Sequence, residues 1–141
     1  MNNKVLFGGL AAGVAFFLLG WLLYGTLLVD FMASHAGSAT GVMKEGMPDF
    51  LWLIIGNLSM GLFLALACSW AGATQASSGA LIGFWVGLLV GIGIDGIMLG
   101  TSNLMTPMGM VIDVIVFTTM CVISGAVAGM VLGMSGRTAT A

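Results

Sequence analysis

Two carboxylic acids stand inside otherwise apolar stretches: Asp95 in Gly-Ile-Asp-Gly and Asp113 in Val-Ile-Asp-Val. An acid in such surroundings can exchange a proton or hold a cation, or it can clamp helices through hydrogen bonds. Burying it in a membrane span costs about 2.5–3.5 kcal/mol even on lenient scales, so an intramembrane acid is a functional candidate by default. No Lys or Arg lies inside the same stretches to neutralise either one. If both are buried, one carries a proton, because two nearby carboxylates disfavour double ionisation. Asn57 and Tyr24 are the matching polar groups in the two earlier apolar stretches.

These four residues must be positioned by four apolar runs, at about 5–29, 50–70, 79–99 and 108–134. Each is close to the ~20 residues that cross a bilayer core as a helix. Lipid tolerates no unpaired backbone, and four runs are too few for a barrel, so each run is expected to be helical. Pro107 suits a first helical turn, where its missing N–H costs nothing. The loops near 71–78 and 100–107 are short, which makes the last three helices antiparallel neighbours. The expected fold is an all-α, four-span transmembrane bundle, a single membrane domain over 1–141. The first run is too long for the apolar part of a signal peptide, typically about 7–15 residues.

Counted from the end shared by these runs, Tyr24, Asn57, Asp95 and Asp113 fall roughly 6–10 Å below the interface at 1.5 Å per residue. They form a candidate intramembrane polar layer. It reads as a hydrogen-bond clamp or wet vestibule, as a proton or cation site, or as a subunit contact. Small residues recur on one face of each helix, since residues four apart nearly align. Gly79, Gly83, Gly87 and Gly91 mark the third helix, and Gly125, Gly129 and Gly133 the fourth. Gly9, Gly13 and Gly20 mark the first, and Asn57, Gly61, Ala65 and Ser69 the second. Such glycine-zipper stripes allow close helix approach. They serve packing within one chain or, on a surplus face, pairing into a homo-oligomer.

Composition closes off most other functions. The 141 residues are 60% hydrophobic and only 6% charged, against about 25% charged in soluble domains. A soluble enzyme, a nucleic-acid binder and a disordered chain are excluded. The partner is the lipid bilayer. The acidic loop after the first run holds Asp30, His35, Lys44, Glu45 and Asp49. His35 reads as a solvated or interfacial residue, and one histidine among scattered acids makes no metal site. Ser59 sits in a helix without a nucleophile elbow. Asp30, Ser34 and His35 share a loop without forming a triad. Gly91 and Gly93 lack the strand-to-helix context of a dinucleotide fingerprint. The twelve methionines are packing, with no clustered array. No catalytic residue, cofactor or metal is expected.

Cys68 and Cys121 differ in depth by roughly 10 Å, too far for a disulfide, and read as small buried hydrophobes. Trp52 and Trp70 bracket the second helix as interfacial anchors do. Trp21 and Trp85 lie deeper and are expected to pack against the bundle. Lys4 and Arg137 fall on one side and Lys44 on the other, which puts both termini in the cytoplasm by the positive-inside rule. The acids then fall toward the opposite face.

Gly20-Trp21-Leu22-Leu23-Tyr24-Gly25 resembles the Gly-x-x-Trp-Tyr-Gly signature of a bacterial family of uncharacterised four-helix membrane proteins, domain of unknown function 1761. The polar loop after the first helix, the glycine-rich third helix and the total length are also similar. The family's Trp is Leu23 here, and its Pro after Tyr-Gly is Thr26. The resemblance implies a small inner-membrane protein and no particular activity. Rotor-ring proteolipids also combine glycine stripes with a membrane acid, but they carry it on the second helix of a hairpin. Here that helix carries Asn57. The leading expectation is a structural or accessory membrane component, self-associating or part of a larger complex. The alternative is a small channel or a proton- or cation-coupled carrier using Asp95 and Asp113.

Overall fold

The computed structural model describes residues 3–44 and 46–134. Glu45 and Arg137, used above for the loop and for orientation, lie outside the described residues. The chain is all-helical, with no strand among the described residues. The elements are α1 (Asn3–Leu22), a π-helical turn (Leu23–Leu27), α2 (Val29–Ser34), α3 (Phe50–Trp70), α4 (Ala76–Thr101) and α5 (Pro107–Met134). Four helices are long and apolar enough to cross a membrane. Large apolar side chains such as Phe7, Leu51, Leu89 and Ile97 line their outer faces.

Helix ends follow local chemistry. The α3 C-terminus closes as a Schellman motif. Gly72 takes the left-handed backbone at φ +67°. The Gly72 and Ala73 amides donate to the Ser69 and Cys68 carbonyls at 3.2 and 2.8 Å. Only two residues later Gln75 and Ser78 form a capping box, with the Gln75 amide donating to Ser78 Oγ at 3.2 Å. This box starts α4 at Ala76, three residues before the expected Gly79. At the α5 start Thr106 is the cap. Its Oγ1 accepts from the Gly109 amide at 3.2 Å and donates to the His35 carbonyl at 3.0 Å. Pro107 occupies the first helical position, as its spacing suggested. Thr106→Val keeps the shape and loses both bonds. It should cost about 1 kcal/mol, the usual worth of such a cap, read as a lowered unfolding midpoint in detergent.

The first run does not continue as one regular helix to Val29. The Leu28 amide donates to the Leu23 carbonyl at 2.8 Å, five residues back, which widens the turn. Gly25 lets the Trp21 ring lie over the turn; a Cβ there would be 3.4 Å from that ring. The Thr26 hydroxyl donates back to the Leu22 carbonyl. The chain resumes as α2 and then crosses the end of the bundle as a strap. The Gly37 and Ala39 amides donate to the Leu104 and Asn103 carbonyls, each at 3.0 Å. A Cβ on Gly37 would strike the Asn103 carbonyl, so this crossing requires glycine.

In space α4 packs on α5, α5 on α1, and α1 on α3, with α5 also touching α3. Gly79 lies against Gly125, Gly83 against the Cys121 carbonyl, Gly87 2.6 Å from Thr118 Cα, and Gly91 against Val114, distances being those an added Cβ would have. Gly129 and Gly133 face the Gln75 and Thr74 carbonyls. On the other side Gly13 meets Leu58 Cα at 2.8 Å, Gly9 meets Leu62 Cα at 2.9 Å, and Gly61 meets the Gly13 backbone. Cys68 and Cys121 are both free and buried. Trp21 and Trp85 differ from expectation. They are 62% and 52% exposed, on the outer surface. Indole rings of this size do not fit between helices held at backbone contact.

Candidate functional site: a carboxyl pair under a strap

α4 and α5 diverge from their closest contact toward the strap end, and the acids occupy the opening. One turn beyond Gly91 on α4 comes Asp95. One residue before Val114 on α5 comes Asp113. The two carboxyls are neighbours across this opening. Asp95 is 6% exposed, and its Oδ2 has no hydrogen-bond partner. Asp113 is half-buried. The π-turn places Tyr24 beside both acids, with Asp113 the nearer influence. Widened turns of this kind recur at functional sites, because they re-aim a side chain without ending the helix.

Three of the four expected polar residues therefore meet. Asn57 does not join them by a hydrogen bond. Its Nδ2 donates to the Leu53 carbonyl of its own helix at 2.7 Å, and its Oδ1 lies beside Gly20. A shared depth along the helices does not fix the direction in which a side chain points.

Inward of the pair the bundle is filled by Phe16, Leu64, Met120 and Cys121, with Phe117 edge-on to Phe16 at a centroid distance of 5.7 Å. Outward lies the strap. His35, read as solvated or interfacial, is half-buried. Its ring stacks on Phe31 at 4.1 Å, and Nδ1 donates to the Phe31 carbonyl at 2.9 Å, with Ser34 Oγ 3.0 Å away. The His35 carbonyl ties down Thr106, about two turns before Asp113. Sequence reading missed this role, since a backbone carbonyl leaves no trace in residue type.

The described lysines are elsewhere. Lys44 pairs with Asp49 at 3.7 Å in the exposed loop. Lys4 lies at the far end, where it lines a cavity of about 560 Å³ with Thr74, Gln75 and Gly133. Among the described residues no group of three or more His, Cys, Asp or Glu could hold a metal ion. Thr118 and Ser124 on α5 also bury a hydroxyl without a partner, each deeper in the bundle than the acids. No family model, curated protein or solved structure matches this chain.

Proposed function

We propose that the protein is an integral membrane protein that takes up and releases a proton or cation at Asp95 and Asp113. One observation carries the reading: Asp95 is buried, faces a second acid, and leaves Oδ2 without a donor. A purely structural clamp engages its acceptors, since buried polar groups are almost always hydrogen-bonded. An acceptor left open beside another acid suits a group that gains and loses a ligand. The four spans form an antiparallel, glycine-packed bundle on this reading. The order of contacts supports it, running from Gly79–Gly125 through Gly83–Cys121 and Gly87–Thr118 to Gly91–Val114. The location is a bacterial inner membrane with both termini cytoplasmic. The Gly20–Gly25 resemblance supports the first part, and Lys4 at the end opposite Lys44 supports the second.

The second reading is a structural or accessory component that self-associates or joins a larger complex, with no catalytic role. A separate feature favours it. Gly56, Gly93 and Gly100 have open space where a side chain would be. Glycine costs about 1 kcal/mol against alanine in a helix, and only a packed neighbour offsets that.

Proton and cation flux into liposomes distinguishes the two. The parent should conduct. Asp95→Asn and Asp113→Asn should each lower flux by about tenfold or more with the fold intact, and the double variant should lose little beyond either single one. No flux in any form, with only Asp95→Leu destabilised by about 0.6–2 kcal/mol, would leave the structural reading standing.

A further inference from the structure

We infer that the species held by Asp95 and Asp113 is a proton shared between the two carboxyls, with Tyr24 donating to Asp113, and not a metal cation. The inference rests on the reading above and narrows it.

Ligand count decides first. Calcium takes 6–8 oxygens, and magnesium demands a near-ideal octahedron while keeping several waters. The side-chain oxygens that meet here come from Asp95, Asp113 and Tyr24 alone. Asn57 has turned its amide back to Leu53. Asp95 Oδ2 is closed to a water-sized probe, and the apolar cluster around Phe16 and Met120 fills the space inward.

A proton needs only two oxygens. One carboxyl, as O–H, donates to the other, which accepts as carboxylate. The pair then carries one negative charge instead of two. The groups facing it are Asp95 from α4, Asp113 from α5 and Tyr24 from the π-turn. Cys121 is the next ionisable group inward, and it is fully buried. From α3 the nearest polar group is Asn57, which is uncharged. Among the described residues no Lys or Arg faces the pair, and the strap's His35 ring is held on Phe31, so a bound proton is what lets two acids share a low-dielectric site. The Tyr24 hydroxyl donates to the acceptor carboxylate and favours Asp95 as the proton's holder. The proton enters and leaves from the strap side, where Asp113 is only half-buried.

The test is infrared spectroscopy on the full chain in lipid nanodiscs at neutral pH, in light and heavy water. The parent should show a protonated-carboxyl C=O band that shifts in heavy water and does not respond to sodium, potassium, magnesium or calcium. The band should vanish in the Asp95→Asn, Asp113→Asn double variant and be lost or displaced in each single one. Tyr24→Phe should displace it, a change that a merely structural tyrosine would not produce. Thermal unfolding confirms that each variant is folded. A parent without the band overturns the inference. So does a band abolished by one of the four cations with a matching rise in unfolding midpoint, which identifies a metal site instead. The liposome result is independent of this one. A band without flux removes the transport reading and keeps the proton site; flux without a band does the reverse.

Discussion

Gly83→Leu should abolish recovery of folded protein, while Gly93→Ala on the same helix should be recovered at parent level or better. At Gly83 the added Cβ alone would run into the Cys121 carbonyl, with the Val122 Cα 3.0 Å away. These are backbone atoms of a continuous helix and cannot swing aside as a side-chain tip can. Gly79 and Gly87 hold α4 to α5 just as closely on either side, so the helices cannot separate at one point only. Overpacking in ordinary cores costs about 1–3 kcal/mol and occasionally more. A whole leucine against backbone belongs at or beyond the upper end. Gly93 has nothing within reach of a Cβ, and alanine recovers about 1 kcal/mol of helix propensity. Yield of a monodisperse species in detergent, and its unfolding midpoint, read both. Parent-like behaviour of Gly83→Leu would mean that α4 and α5 do not touch along this line.

A second all-or-none result concerns sidedness. Cysteine at Ser38 should react with an impermeant thiol reagent from outside intact cells, and cysteine at Ser77 should react only after permeabilisation. Ser38 lies in the strap, between the Gly37 and Ala39 amides that bind the α4–α5 loop. Ser77 lies in the first turn of α4, near the cavity lined by Lys4 and Gly133. The 26 residues of α4 separate these ends by about 39 Å at 1.5 Å per residue. Both native cysteines are buried, so background reaction is small. Labelling of both positions from one side would sink the four-span arrangement. Ser77 outside and Ser38 inside would invert it, against the charge bias of Lys4.

Span number and position were legible because length and apolarity alone set them. The ends of α3 and α5 fell where expected. Pro107, read as a first-turn residue, sits there. Cys68 and Cys121 are the buried thiols that their surroundings implied. Facing direction was harder. These helices are apolar on every side, so hydropathy carries no inward face, and only small or polar residues mark one. The glycines of α4 gave that mark and do face α5. Trp21 and Trp85 gave no such mark, and both turned outward. The π-turn was invisible, because Leu23–Leu27 is as apolar as its flanks and the widening depends on one amide choosing a carbonyl five residues back. The same turn decides where Tyr24 points. Hence the Tyr24–Asp113 contact could be placed by depth but not by partner.

The central position of α5 has a consequence for how the protein is made. Half of its span is buried in the bundle, against 17% for α3, yet it follows the other three spans in the chain. During synthesis α1 and α3 can dock on each other through Gly13 and Gly61 as soon as both have left the translocon. α4 cannot do the same, since its glycine face is complementary to a helix not yet translated. For that interval Asp95 lacks both Asp113 and the α5 face against which its helix packs. Completion of the bundle thus waits on the last helix, which supplies the surface that α4 packs against.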